Sequence, residues 1–191
     1  MLVAEFYKRF PTQLGLVHTA EAQEQKALAG AELLDKKSSF VLSYYKAAIA
    51  AARQFKLNPV IVLAQAALES GWGTSTLAKQ YHNFFGITAA GKPNAYWKGE
   101  SYTSVTSGLK FRVYPSVEAG FADFARVISN YYQEAAAVST NVNAYADKIS
   151  KSKYISETNG DNRQRYKELI ISAATSILGI AKKKFPINPL L

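Results

Sequence analysis

Glu69 is the single carboxylate between Asp35 and Glu100, and it lies near the C-terminal end of the most apolar segment of the chain. That segment reads VIVLAQAALES, and its composition predicts a helix that is buried on nearly all sides. A carboxylate is disfavoured at the C-terminal end of a helix, and burial favours its protonated form. Folding gains nothing from an acid here, whereas a group that holds a proton and donates it near neutral pH requires such surroundings. We therefore predict that Glu69 is a general acid.

Two further side chains share the predicted helix face of Glu69. Gln65, Glu69 and Trp72 follow the spacing i, i+4, i+7, which places them on one stripe. An amide, an acid and an aromatic ring on one stripe are typical of a wall that binds a sugar. The alternative interpretation is a glutamate that is solvated or paired with a lysine or arginine, as a glutamate near a helix end usually is.

The elements that must position these residues are mainly helices. Ser38 or Ser39 is a suitable N-cap for the first firm helix, and Asn58-Pro59 begins the central one, which is predicted to end near residues 71–73. Ser116 caps the next helix, and two more are predicted over residues of about 142–150 and 162–178, with a stop at Gly179.

A stretch of different character, residues 82–114, interrupts the helices. It is punctuated by glycines, and apolar residues alternate with polar ones on either side of Ser107-Gly108. This pattern predicts a small antiparallel hairpin. The predicted fold class is therefore mainly α, an α-helical domain with a small β-hairpin lobe.

Composition narrows the chemistry further. The 191 residues include no cysteine, which excludes disulfides, thiolate zinc sites, iron–sulfur clusters and a cysteine nucleophile. The hydrophobic fraction of 48% excludes intrinsic disorder as the main state, and no apolar run approaches the roughly 18 residues of a membrane span. The net charge of +9 favours a polyanionic partner such as nucleic acid, anionic lipid or an anionic cell wall.

Several motifs in one order resemble a known family. Residues 67–87 read ALESGWGTSTLAKQYHNFFGI, followed by Trp97-Lys98-Gly99, then by FRVYPS at 111–116 and AGFADF at 119–124. This order is similar to that of the glucosaminidases among the peptidoglycan hydrolases, family 73 of the glycoside hydrolases, over residues of about 40–178. The resemblance implies a lysozyme-like fold with a cleft between two lobes, and hydrolysis of the β-1,4 bond after N-acetylglucosamine in peptidoglycan. Glu69 falls on the family's catalytic acid, and no metal or organic cofactor is implied.

The second catalytic group departs from the family pattern. The family usually carries an acid two residues after a threonine in the β-lobe, but Thr106 is followed by Ser107 and Gly108. Glu100 is the preferred substitute, because Glu118 suits the first turn of a helix and Asp123 a structural hydrogen bond. The alternative is assistance from the substrate's own acetamide group. The resemblance places functional tyrosines at Tyr154 and at Tyr132, with Tyr131 as a rival to Tyr132.

The remaining candidate substrate-binding residues each have a structural alternative. Trp72 and Trp97 either stack on sugar rings or pack in the core. Phe85 suits the core better than a subsite, and Asn83 either fixes the turn before Gly86 or binds an acetamide group. Together with Gln65, Tyr131 and Tyr132, these residues complete the predicted binding set.

The predicted organisation has three parts. Residues 1–37 form an N-terminal arm or helical extension, residues 38–181 form the lysozyme-like domain, and residues 182–191 form a basic tail. A wall substrate requires a secreted or periplasmic protein, although residues 1–20 show no ordinary signal peptide. A monomer that neither inserts into membranes nor binds nucleic acid is expected.

Three rival functions stay open from the sequence. A muramidase or a lytic transglycosylase would use the same glutamate on the same fold. A non-catalytic module that binds cell-wall glycan is suggested by the missing acid of the β-lobe. A nucleic-acid binder is suggested only by the net charge, because no helix-turn-helix, ribonucleoprotein motif or metal finger is visible.

Overall fold

The computed structural model describes the backbone of residues 11–155, 162–185 and 190, and the side chains of these residues from position 22 onwards. The chain divides into two compact units, Met1–Ser38 and Ser39–Leu191. The predicted boundary after residue 37 differs from this division by one residue. The last helix includes residues 182–184 of the predicted basic tail, and Leu190 is buried.

Helix α1 spans Pro11–Phe55 without a break, whereas the sequence predicted an N-terminal arm or helical extension over residues 1–37 and then a helix capped by Ser38 or Ser39. No proline or glycine occurs between residues 31 and 55, so nothing in this stretch interrupts the backbone hydrogen bonds. The part of the predicted arm at residues 1–10 lies outside the described residues.

The second unit continues with six helices and one hairpin within its described residues. These elements are α2 (Pro59–Glu69), α3 (Thr76–Tyr81), β1 (Ser101–Thr103), β2 (Lys110–Arg112), α4 (Val117–Tyr131), α5 (Gln133–Ala137), α6 (Val142–Lys151) and α7 (Arg163–Lys184). The mainly α class with a small β-hairpin lobe is confirmed. Helices α3 and α5 were not predicted, because each is too short to show a hydrophobic period.

Helix α2 lies at the centre of the core. Every residue from Val60 to Ala67 is buried, and α2 packs against α7, which in turn packs against α6. Phe40, Val41 and Ala48 of α1 join the same core, as do Phe121 and Phe124 of α4. The predicted central position of this helix is therefore correct.

The hairpin is short. Strands β1 and β2 pair antiparallel with Ser101 opposite Arg112, and the backbone of Gly108 in the connecting loop has a φ of 69°. Val105, predicted as a strand residue, lies in that loop and is 94% exposed. The hairpin was thus located correctly, but its alternating pattern extended beyond the residues that pair.

Asp123 in α4 binds the hairpin to the helical part of the unit. Its fully buried carboxylate accepts hydrogen bonds from Arg112 (2.5 Å), Tyr114 (2.8 Å), Asn94 (3.1 Å) and Arg126 (2.8 Å). Burial and the charge of Asp123 raise the pKa of the Tyr114 hydroxyl far above its usual value, so this hydroxyl stays a donor. The structural part predicted for Asp123 agrees with this arrangement.

Two helical glycines differ in the space around them. A Cβ atom at Gly120 in α4 would lie 2.3 Å from the carbonyl oxygen of His82, so the two backbones meet at this point. Gly179 was predicted to end the last helix, but α7 continues to Lys184 because Ile180 and Ala181 pack into the core. Nothing lies within 4 Å of a Cβ atom at Gly179.

No helix within residues 11–155 and 162–185 combines the length and the apolarity that crossing a bilayer requires.

Candidate active site

A tight turn follows the buried helix α2. The helix ends at Glu69, and the next residue, Ser70, donates its backbone N–H to the carbonyl oxygen of Ala66 at 3.1 Å. Gly71, Trp72 and Gly73 then have φ angles of 59°, 61° and 76°. Two of these left-handed positions suit glycine, but Trp72 adopts one at a steric cost. The turn therefore holds the chain beside Glu69 in a strained and well-defined conformation.

The side chain of Glu69 is exposed at this turn, whereas the residues of the preceding helical turns are buried. The expectation that Glu69 itself is buried is therefore wrong, because the helix leaves the core in its last turn. The glutamate is nevertheless held by the protein, since the Tyr166 hydroxyl of α7 donates to its Oε1 atom at 2.7 Å.

Behind Tyr166 lies a hydrogen-bonded chain, which we call the tyrosine relay and define as Tyr145, Gln65, Tyr166 and Glu69. The Nε2 atom of Gln65 donates to the Tyr166 hydroxyl at 3.1 Å, and the Tyr145 hydroxyl donates to Oε1 of Gln65. Gln65 is 0% exposed. The prediction that Gln65 lines a sugar-binding wall is therefore corrected: its amide is used inside the core.

Tyr154 and Tyr132 extend the aromatic contacts outward from Tyr166. The ring of Tyr154 lies 6.1 Å from that of Tyr166 and 5.4 Å from that of Tyr132, measured between centroids. Burial, together with the nearby charge of Glu69, raises the pKa of the Tyr154 and Tyr166 hydroxyls well above their usual range. Burial also raises the pKa of Tyr132. These hydroxyls consequently stay protonated around neutral pH.

A cavity of about 650 Å³ lies next to Tyr132. It is bounded by the end of α4, by α5 and by the C-terminal end of α6, and its lining includes Tyr131, Tyr132, Lys148, Lys151 and Lys153. Tyr131 is 71% exposed. Tyr132 and its rival Tyr131 therefore both line one open space, which Tyr154 connects to the neighbourhood of Glu69.

Three predicted binding residues are core residues in this structure. Asn83 is buried, and its side chain makes hydrogen bonds to the backbone of Ile87 and Arg112. Phe85 stacks on Phe124 with 3.8 Å between ring centroids. Trp97 is buried, donates to the carbonyl oxygen of Glu100 at 2.6 Å and lies under the Arg112 guanidinium. For each of them the structural alternative fits the contacts.

Trp72 is partly accessible to solvent, and Glu100 is exposed. Trp72 is half-buried and meets the edge of Phe40 at 5.5 Å between centroids, so part of its surface is accessible. Glu100 is exposed, follows Gly99 (φ 101°) and is fixed through its backbone, which accepts from Val113 at 3.0 Å. Its side chain is free to extend into solvent.

Sequence reasoning missed Tyr145 and Tyr166 as parts of the site. Tyr166 was assigned to an apolar helix face, beside Ile170 and Ile177. The signal was Gln65 itself: a glutamine in the most apolar helix requires buried partners, and tyrosines on the facing helices are natural ones. In the described part of the chain, no group of three or more His, Asp or Glu side chains could hold a metal ion.

The fold of the second unit occurs in solved glycoside hydrolase domains. The glycoside hydrolase domain of FlgJ from Salmonella typhimurium aligns with a TM-score of 0.60 at 24% sequence identity, covering 77% of this chain and 91% of that domain. The catalytic domain of the autolysin Auto from Listeria monocytogenes aligns with a TM-score of 0.55 at 23% identity, covering 75% and 86%. The shared fold supports the lysozyme-like architecture.

The sequence defines the family itself. The glucosaminidase family, described as mannosyl-glycoprotein endo-beta-N-acetylglucosaminidase, matches residues 45–178, and the chain belongs to this family. A probable N-acetylmuramidase of Lactococcus lactis subsp. lactis (strain IL1403) is 40% identical over 96 residues, which are 47% of this chain and 22% of that protein. The chain thus spans about a fifth of the length of this curated relative. The resemblance stated from the sequence motifs is confirmed.

Proposed function

We propose that this protein hydrolyses the glycan strands of peptidoglycan at the β-1,4 bond after N-acetylglucosamine, with Glu69 as the general acid. The observation that carries the proposal is the position of Glu69, exposed at the end of a buried helix and hydrogen-bonded by Tyr166 inside the matched family region. Glycoside cleavage requires a proton on the leaving oxygen. An exposed acid that the protein holds in one orientation can deliver that proton.

The second step requires a group that stabilises or intercepts the oxocarbenium-like centre. Glu100 is the proposed carboxylate for this step, because it is exposed and follows a glycine at the entrance to the hairpin. Asp123 is not available, since its carboxylate is buried under four donors. Tyr154 is proposed to orient the substrate's acetamide group, because its protonated hydroxyl lies close enough to Glu69 to feel its charge.

Replacing Glu100 by glutamine distinguishes the two routes. A carboxylate that activates water or attacks the sugar cannot be replaced by an amide, so a loss comparable to that of Glu69→Gln supports Glu100 in this part. Near-normal turnover of Glu100→Gln, combined with a large loss in Tyr154→Phe, supports assistance by the acetamide group instead. Turnover of both variants is measured on purified cell wall.

The proposed glycan contacts are the accessible aromatic residues. Tyr131 and Tyr132 line the cavity beside Tyr154, and part of Trp72 is accessible beside Glu69. Aromatic faces stack well on sugar rings, which present flat C–H surfaces. The net charge of +9 suits an anionic wall polymer. We propose that the protein acts on this polymer as a monomer, outside the cytoplasm where the wall is found.

The decisive experiment compares wild type, Glu69→Gln and Glu118→Gln on purified peptidoglycan. Glu118 is an exposed glutamate in the first turn of α4, so its variant is a matched control that keeps normal turnover. Loss of the general acid is expected to reduce the release of new reducing ends by about 10²–10⁴-fold with an unchanged circular dichroism spectrum. Unchanged release by Glu69→Gln would refute the proposal.

The products identify the bond. Reducing-end N-acetylglucosamine supports the proposal, whereas reducing-end N-acetylmuramic acid would indicate a muramidase, the activity in the name of the lactococcal relative. An anhydromuramyl end would indicate a transglycosylase. A protein that sediments with cell wall but releases no ends would be a binding module.

A further inference from the structure

We propose that Gln65 and Tyr145 are positioning residues that set the direction of the hydrogen bond between Tyr166 and Glu69. This inference rests on the proposed function, because it concerns how Glu69 holds its proton. Each link of the tyrosine relay has one donor and one acceptor: Tyr145 donates to Gln65, Gln65 donates to Tyr166 at 3.1 Å, and Tyr166 donates to Glu69 at 2.7 Å. All donors therefore point towards the glutamate.

Tyr145 fixes this direction because it lies at the closed end of the relay. Its side chain is 0% exposed, and Gln65 is its hydrogen-bond partner among the described residues. If the Gln65 amide turned over, the buried Tyr145 hydroxyl would face an N–H group and its own hydrogen would lose its acceptor. Leaving a buried donor without an acceptor is costly. The Gln65 oxygen is consequently held towards Tyr145, and its Nε2 atom towards Tyr166.

The orientation of Gln65 decides what Tyr166 can do. A tyrosine hydroxyl either donates or accepts along a given contact, but here Nε2 of Gln65 already fills an acceptor position of the Tyr166 oxygen. The hydroxyl hydrogen of Tyr166 is therefore directed to Oε1 of Glu69. Since Oε1 accepts a hydrogen bond, the proton of the acid form lies on Oε2. The relay thus selects the oxygen that delivers the proton.

Packing alone does not explain these groups. Gln65 is the polar residue among the eight buried positions of α2, all others being Val, Ile, Leu or Ala. A buried amide is favourable only when its hydrogen bonds are made, and in the described residues no buried side-chain nitrogen or oxygen lacks a partner. An apolar residue of similar size would fill the same volume without this requirement. The relay therefore does more than fill the volume of the core.

A double-mutant cycle tests the proposal, with kcat and KM measured on purified peptidoglycan for wild type, Tyr145→Phe, Tyr166→Phe and the double variant. Tyr145→Phe is expected to lower kcat about 3- to 10-fold with an unchanged KM, the effect of one ordinary hydrogen bond. Because Tyr145 acts through Tyr166, the double variant is expected to be no slower than Tyr166→Phe alone. Because Glu69 must be protonated to act, the alkaline limb of the pH profile is expected to shift in all three variants.

Two further variants complete the test. Tyr44→Phe is the matched control, since Tyr44 packs on Phe84 and Phe121 and its hydroxyl has no hydrogen bond among the described residues. It is expected to keep the wild-type kcat. Gln65→Met keeps the chain length without polar atoms and interrupts the same relay, so it is expected to lower kcat as Tyr166→Phe does. It also tests the proposal if Tyr145→Phe folds poorly.

The outcomes separate the alternatives. Additive losses in the double variant, or a lower melting temperature with unchanged kcat and pH profile, would show that Tyr145 and Gln65 only support the fold, and would overturn the inference. A wild-type protein that releases no reducing ends would overturn the proposed function and the inference with it.

Discussion

Asp123 and Glu69 are carboxylates of the same folded unit, and their surroundings differ in burial and in the residues that donate to them. Asp123 is fully buried and accepts hydrogen bonds from two arginines, a tyrosine and an asparagine. Glu69 is exposed and accepts a hydrogen bond from the Tyr166 hydroxyl, which a buried relay orients. In both cases a tyrosine hydroxyl donates to the carboxylate, but only at Glu69 does the acid meet solvent.

The difference shows what each environment permits. A buried carboxylate that accepts hydrogen bonds from both parts of the unit holds them together, so Asp123 acts as a cross-link between hairpin and helix. An exposed carboxylate can gain and lose a proton, and a single directed donor is enough to orient it. The same chemical group is thereby structural in one place and suited to catalysis in the other.

The largest effect is expected from removing the structural carboxylate. Asp123→Ala leaves the buried Arg112 guanidinium without its counter-ion, so the free energy of unfolding is expected to fall by about 3–5 kcal/mol. Urea denaturation followed by circular dichroism measures this loss. Glu69→Gln serves as the comparison and is expected to change stability by less than about 1 kcal/mol. Equal stability losses in the two variants would show that Asp123 contributes no more to the fold than Glu69 does.

The tyrosines that donate to these two carboxylates, Tyr114 and Tyr166, are expected to differ in the same way but with smaller effects. Tyr114→Phe removes a hydrogen bond to a buried charge and is expected to cost about 1.5–3 kcal/mol of stability, with unchanged turnover per folded molecule. Tyr166→Phe is expected to lower kcat about 3- to 10-fold and to cost less stability. Thermal melts and turnover are measured side by side. The reverse pattern would assign the structural part to Tyr166.

The smallest effect concerns a third carboxylate, Asp147, which is partly exposed and paired with Lys151 and Lys167 at 2.8 Å each. Hydrogen bonds from these lysines lower the pKa of Asp147 to about 2. A lowered pKa means that the contribution to stability is present above the unfolded pKa of about 3.9 and is lost as the pH falls towards 2.

Asp147→Asn is accordingly expected to flatten the pH dependence of the melting temperature slightly between about pH 4 and 2, and to leave the melting temperature near pH 7 almost unchanged. A melting curve series over this range tests the effect. A drop of many degrees at neutral pH would mean that Asp147 is more than a surface ion pair.

The sequence predicted the parts of the fold that depend on local signals. Asn58 caps α2 and Ser116 caps α4 through side-chain hydrogen bonds, as their residue types indicated. The burial of α2 followed from its uninterrupted apolar residues. The end of α7 was predicted too early, because a glycine lowers helix propensity by about 1 kcal/mol but the packing of Ile180 and Ala181 outweighs this.

The candidate site was predictable only in part. Glu69 stood out by its isolation in the sequence, but whether it was exposed depended on where the helix leaves the core, which is a tertiary property. Asn83 and Trp97 belong to family motifs, yet their contacts lie within the fold. The relay joins residues 65, 145 and 166, and no periodicity within one segment indicates a contact across about 100 residues.

The close approach at Gly120 has a consequence for how this domain can change over time. A methyl group there would push α4 away from the backbone that follows α3, because the obstacle is a carbonyl oxygen and not a flexible side chain. Gly179 has open space around it, and an alanine there would add helix propensity at no steric cost. Protein engineers therefore have a safe position for raising heat tolerance near the C-terminus, whereas any side chain at position 120 would force the two backbones apart.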